Sequence, residues 1–330
     1  PQPQSSPRNP LDPDDFDLQD QVAKLLGTED LVPLQESIVE YAENKEDKYL
    51  RIFKSFACLY PECFCLKLNE ILKFQPSLQI RSEIFHLLHY TLRESVPVSS
   101  SVLFKLKQTI LNSLIMETED FLFPSLCKLI GQVADGLYRR YPIGSWDELL
   151  HYFISMISSF SESNRNKGFL LLTEFPILVG RNKNFWLNRG GFDIAYTAVL
   201  QSFYTKGRKS EALAYYASIS LLLLSKDLQR TDVSEILLPI LLNIIGQHRE
   251  DEGLVTKLKL LMDLVTMDDG SIFRVKLHQV FWSMIGVAEI EGASDELPYE
   301  AVKIIKLHMK LSRGSVGDKN FKFCPVPWPP

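Results

Sequence analysis

No stretch of this sequence approaches the roughly 18–20 consecutive apolar residues that a membrane-spanning helix needs. Its pure apolar runs last only a few residues. No segment alternates apolar and polar residues over a strand's length, so no sheet is expected. Cysteine is sparse and odd in number, at five, and no Asn-x-Ser/Thr sequon occurs. That argues against a disulfide-stapled secreted domain and for a reducing, intracellular location. The opening PQPQSSPRNPLDPDD lacks the basic and then apolar pattern of a signal peptide. With a formal net charge of −5, the chain also lacks the basic excess of a nucleic-acid-binding domain. Neither a direct nucleic-acid partner nor a membrane partner is expected.

Signatures of catalysis are missing as well. Gly207-Arg208-Lys209-Ser210 ends like a phosphate loop, but the upstream glycine is absent and no strand precedes it. No G-x-S-x-G elbow is present. Cys58, Cys63 and Cys65 stand near His86 and His89 in sequence. A Cys-x-Cys step, however, points to different sides of a helix and does not match the spacing of zinc pairs. These cysteines are expected to be buried as small hydrophobes, and the two histidines to lie at a core edge or groove. No catalytic group, metal or cofactor is assigned.

What the sequence does contain is helix after helix. In Gly144–Pro176, Trp146, Leu149, Leu150, Phe153, Ile154 and Ile157 recur at helical spacing, after a Ser145/Glu148 capping box. Glu148, His151, Ser155 and Ser159 fall on the other side. A polar run from Ser161 to Asn164 leads into a second helix carrying Phe169, Leu171, Leu172 and Phe175. Neither helix can bury its stripe alone. The same unit predicts helices near 14–26, 30–43, 46–59, 61–74, 78–94, 100–116, 119–140, 145–160, 164–175, 190–205, 208–225, 231–248, 252–267, 271–290 and 297–312. Leu221–Leu224 reads as fully buried. The basic, aromatic stretch GRNKNFWLNRGG, Gly180–Gly191, reads as a solvated connection, with a surface partner contact as the alternative. Residues 1–13, with five prolines, form a disordered lead-in, and 314–330 an extended Pro-rich tail.

A helix pair thus takes about 40 residues, close to the roughly 40–47 of HEAT and armadillo units. Such pairs bury their stripes by stacking. The expected fold is an all-α, HEAT/armadillo-like α-solenoid of about seven to eight helix pairs over 14–313, against an irregular helical globule as the competing arrangement.

The segments LQIRSEIFHLLHYTLRES, SVLFKLKQTILNSLIMETED, WDELLHYFISMISSF and NRNKGFLLLTEFP resemble the early HEAT repeats of importin-β-type nuclear transport receptors. The positions that carry the resemblance are Arg81, Met116–Glu117, Trp146 and Phe175–Pro176. The resemblance implies a non-enzymatic, protein-binding factor of the cytoplasm and nucleus that engages the Ran GTPase and cargo or nucleoporin partners. The same fold also fits a scaffold or adaptor subunit that holds a complex subunit or peptide. In the family the second helices of the early pairs meet Ran; here they correspond to 100–116 and 145–160. Leu103, Leu106, Ile110 and Leu114 fill the apolar side of the first, which leaves Lys105, Gln108 and Asn112 opposite. On the second, Glu148, His151 and Ser155 take the same place. These six are the expected protein-binding residues.

Stacking makes a prediction about size. A compact globule of this length has a radius of gyration of about 20 Å. Small-angle scattering should return a larger value, and a globular profile at about 20 Å would contradict stacked pairs.

Overall fold

The computed structural model describes residues 13–314, apart from 75, 95–96, 142–145, 175–182, 205–207, 248–253, 268–276 and 291–295. Among the described residues the regular structure is fifteen α-helices and one π turn. The chain divides into two compact units, Pro1–His151 and Tyr152–Pro330.

The first unit holds α1 (Pro13–Gly27), α2 (Val32–Asn44), α3 (Asp47–Leu59), α4 (Pro61–Lys73), α5 (Leu78–Glu94), α6 (Ser100–Met116), α7 (Phe123–Arg140) and the start of α8 (Asp147–Ile157). Helices α1, α3, α5 and α7 pack in succession as one layer, and α4 packs on α6 in the other. Proline opens α2, α4 and α7, where its missing N–H costs nothing and its fixed φ suits the first turn. Phe53, Phe56 and Phe64 join α3 to α4, with ring centroids 5.0–6.2 Å apart. On α6, Leu103, Leu106, Ile110 and Leu114 are all buried, as the spacing predicts.

The rest of α8 lies in the second unit with α9 (Glu162–Glu174), α10 (Gly191–Tyr204), α11 (Arg208–Asp227), α12 (Thr231–Gln247), α13 (Leu254–Met267), α14 (Leu277–Ala288) and α15 (Glu296–Gly314). Helices α9, α11, α13 and α15 pack in succession, and α12 packs on α14. Tyr215 of α11 is fully buried and donates its hydroxyl proton to the Lys257 carbonyl of α13 at 3.1 Å. A Cβ on Gly168 of α9 would stand 2.9 Å from the Ile157 backbone nitrogen. The two backbones therefore touch where α9 passes the end of α8, and only glycine fits.

Several expectations need correction. The helix expected from 119 begins at Phe123, because Pro124 belongs in a first turn and Glu117 Oε1 accepts the amide protons of Thr118 and Glu119 at 3.1 Å each. The helix expected over 145–160 spans 147–157. Ser145 of the capping box lies outside the described residues, as do Phe175–Pro176 and the Pro-rich segments before 13 and after 314. Cys65 and Cys127 are buried, but Cys58 and Cys63 are exposed, on the outward sides of α3 and α4. Burial pushes the Cys65 thiol up to about 12, which leaves it unreactive. Leu223 is half-buried while Leu221, Leu222 and Leu224 are buried, as one side of a helix at its layer's edge must be.

The Gly180–Gly191 stretch departs furthest. Residues 180–182 are outside the described set, but Asn184–Asn188 forms a π turn that buries Phe185 and Trp186. The Arg189 amide donates to the Asn184 carbonyl at 3.0 Å, the i→i+5 bond of that geometry. Trp186 meets the Phe153 ring edge-on at 5.9 Å. The aromatics are a wedge in the core, not a solvated connection.

Phe153 is 0% exposed and His151 lies on the open side. Phe153→Ala should therefore cost about 3–5 kcal/mol as a large-to-small core change. His151→Ala should stay within about 0.5 kcal/mol. Denaturant melts of the two variants check the assignment, and equal midpoints would overturn it.

Candidate functional site

The site is built on α6. Its apolar side is committed to α4 and α7, so Lys105, Gln108 and Asn112 project away from the core. These three line a cleft of about 600 Å³ whose walls also include Leu72 of α4, Phe104 of α6 and the Arg81–Glu117 pair. Gln108 Nε2 donates to Asn112 Oδ1 at 3.2 Å, one turn along the helix, and so both amides are held side by side.

The Arg81–Glu117 pair forms the cleft's end. Arg81 Nε donates to Glu117 Oε2 and its NH2 group to Glu117 Oε1, both at 3.2 Å, a bidentate fork. A third donation, from the NH1 group, goes to the Pro76 carbonyl at 3.0 Å. The Glu117 side chain is 2% exposed and the Arg81 side chain 24%. With two backbone amides also donating to it, the Glu117 carboxylate is saturated. Both residues carry the family resemblance in the sequence; the structure brings them together.

All six expected binding side chains reach the surface. Lys105, Gln108 and Asn112 share the cleft. Glu148, on the first turn of α8, reaches α6 through Lys107 instead, at 3.8 Å, while the Lys107 ammonium sits 5.3 Å over the Phe104 ring. His151 is exposed farther along α8. Ser155 belongs to the second unit, where its hydroxyl donates to its own helix's Tyr152 carbonyl at 2.7 Å. Reasoning from helical spacing alone misses Phe104, Arg81 and Glu117 as walls of the cleft. The available signal is their separation, since Arg81 and Glu117 stand one repeat apart.

Chemically, the cleft offers the Lys105 ammonium, a second ammonium on Lys73 that pairs with Glu70, two amides, an aromatic edge and a neutralised ion pair. That set suits hydrogen bonding to a polypeptide more than bond-breaking. No helix among the described residues is long and apolar enough to cross a membrane, and no group of three or more His, Cys, Asp or Glu side chains among them could hold a metal ion.

No family model matches the sequence, and no curated protein does. Solved structures match the fold. Kap121p bound to RanGTP aligns with a TM-score of 0.60 at 16% identity, covering 89% of this chain and 27% of that one. Kap121p bound to Nup53p gives 0.60 at 16%, over 88% and 27%. The karyopherin Kap121p bound to the SUMO protease Ulp1p gives 0.62 at 17%, over 88% and 27%. The fold is a karyopherin-like α-solenoid. At this identity the likeness is one of fold, and the chain spans about a quarter of the length of Kap121p. A HEAT/armadillo-like all-α architecture, expected from the 40-residue spacing, is what the match shows.

The fork should contribute to stability. Arg81→Ala would leave a buried carboxylate without its counter-charge. The cost should be about 3 kcal/mol, the lower end of the range for breaking a buried pair, because Arg81 is partly exposed. Replacing both residues with Met and Leu should recover most of that loss. Denaturant unfolding of the single and double variants checks it, and a harmless Arg81→Ala would show that the fork holds nothing.

Proposed function

We propose that this chain is a protein-binding α-solenoid of the importin-β type, which engages Ran together with a cargo or nucleoporin partner between cytoplasm and nucleus. The supporting observation is the fold match to Kap121p over 84–89% of the chain, in structures that hold RanGTP, Nup53p, Ulp1p and Pho4p. Residues 14–313 act as the binding array, with the segments before and after it flanking. Lys105, Gln108 and Asn112 supply the contact in the first unit, with Glu148 and His151 beside them. In the second unit, Ser155 is a further proposed contact residue. Polar side chains of this kind give orientation and selectivity, while Phe104 supplies apolar area.

A second reading uses the same surface in a scaffold or adaptor subunit with no Ran dependence. The 16–17% identity favours it, because at that level a fold is shared without the scattered side chains that would meet a particular partner.

The test is binding to GTP-loaded and GDP-loaded Ran. Preference for the GTP form, weakened about tenfold or more by Lys105→Glu with Gln108→Ala at an unchanged melting temperature, supports the transport reading. No binding at tens of micromolar, with another partner lost on the same substitutions, would support the scaffold function instead.

A further inference from the structure

The second unit carries a groove of its own, between the packed helices α12 and α14, of about 410 Å³. Trp282 of α14 lines one side and Pro239 of α12 the other. The indole is 44% exposed. Pro239 stands inside its helix, where it costs a backbone hydrogen bond. Two turns along α12, Gly246 leaves the wall bare, since a Cβ there would meet nothing within 4 Å among the described residues. Asn243, Gln279 and Ser283 complete the lining, and none of the described residues that line the groove is charged.

That combination selects a chemistry. A proline-rich segment in the polyproline II form has free carbonyls and few N–H groups of its own. It therefore needs hydrogen-bond donors set among flat apolar faces. The two carboxamides and the hydroxyl are such donors, and the indole and pyrrolidine are such faces. A helix would arrive with its carbonyls already bonded, and a charged segment would find no counter-charge.

The chain holds a segment of that kind. Residues 325–330 read PVPWPP and carry no charge. Helix α15 follows α14 after the short link 289–295 and packs on it, so the two run antiparallel. With 19 residues against 12, α15 ends about 10 Å beyond the start of α14. Gln279 and Trp282 lie near that start. Residues 315–324 can span up to about 33 Å, enough to pass one packed helix whose axis stands about 8–10 Å away.

We infer that the α12–α14 groove is the docking site of the chain's own proline-rich segment, residues 325–330. Its rings would lie on Trp282 and Pro239, and its carbonyls would accept from Asn243, Gln279 and Ser283. The inference stands independently of Ran binding, because it does not use the α6 cleft.

Photo-crosslinking in the full chain tests it, with p-benzoylphenylalanine in place of Val326 and products mapped by mass spectrometry. Crosslinks should form within one chain and fall on α12 and α14 around the groove. Gly246→Leu would fill the groove without crowding the core, and should cut them about tenfold or more at an unchanged melting temperature. Trp282→Ala should act in the same direction, while Trp282→Phe, which keeps a flat ring, should retain most of them. Excess decaproline should compete, and decaglutamate should not. Lys105→Glu with Gln108→Ala should leave the crosslinks unchanged. Crosslinks between chains that rise with concentration overturn the inference in favour of a second copy as the source of the segment. Crosslinks elsewhere, or ones that ignore both Gly246→Leu and decaproline, overturn it outright.

Discussion

Among the described residues, side chains that bond from one repeat to the next reach partners 36–42 residues away. Arg81 meets Glu117, the Ser99 amide meets Glu62, and Arg230 meets Asp193 at 3.0 Å. Lys45 meets Glu83, Lys67 meets the Thr28 carbonyl, Arg140 meets Ser100, and Tyr215 meets Lys257. These contacts recur in both units with nearly one step length. Everything else hangs on that step. An amphipathic pair has nothing to bury its stripe against except the pair before and the pair after. A segment much longer or shorter would bring the wrong side of a helix to its neighbour. The polar bonds fix the register that the apolar stripes leave approximate.

The helices are legible in the sequence because each carries its stripe at helical spacing, and packing reinforces what the spacing implies. Ends are less legible where side chains outside the stripe decide them. Pro124 and the Glu117 carboxylate set the start of α7, and neither belongs to the apolar pattern. The π turn is not legible, because an i→i+5 bond displaces Phe185 and Trp186 from the helical period and their basic, amide-rich flanks look solvated. At the candidate site, exposure of Lys105, Gln108 and Asn112 follows from the angle between residues on α6. The cleft does not follow, because its walls come from α4 and α5. Cys58 and Cys63 mislead for a related reason: residue type suggests burial, while position on the helix places them outside.

The two layers of the first unit handle charge differently. Around the α6 cleft, the guanidinium and the carboxylate cancel within a fork, and Lys73 pairs with Glu70 at 2.6 Å. Lys105 then stands out as a single positive point among amides. On the α5–α7 side, Lys128 stands on the helix next to the one that carries His86 and His89, and Glu83 and Asp135 pair with Lys45 and Arg139. A partner entering the cleft gives up water around amides and one ammonium, where shape and hydrogen-bond direction decide much of the outcome.

The backbone contact at Gly168 reaches beyond packing. Where two helices meet through side chains, rotamer changes let them slide by fractions of an ångström. With the α9 backbone resting on the nitrogen of Ile157, no side chain lies between to yield. The end of α8 and the middle of α9 therefore move as one piece. Any flexing within the second unit is displaced to joints cushioned by side chains, such as those between α11 and α13. One missing methyl group thereby decides where this part of the molecule is stiff.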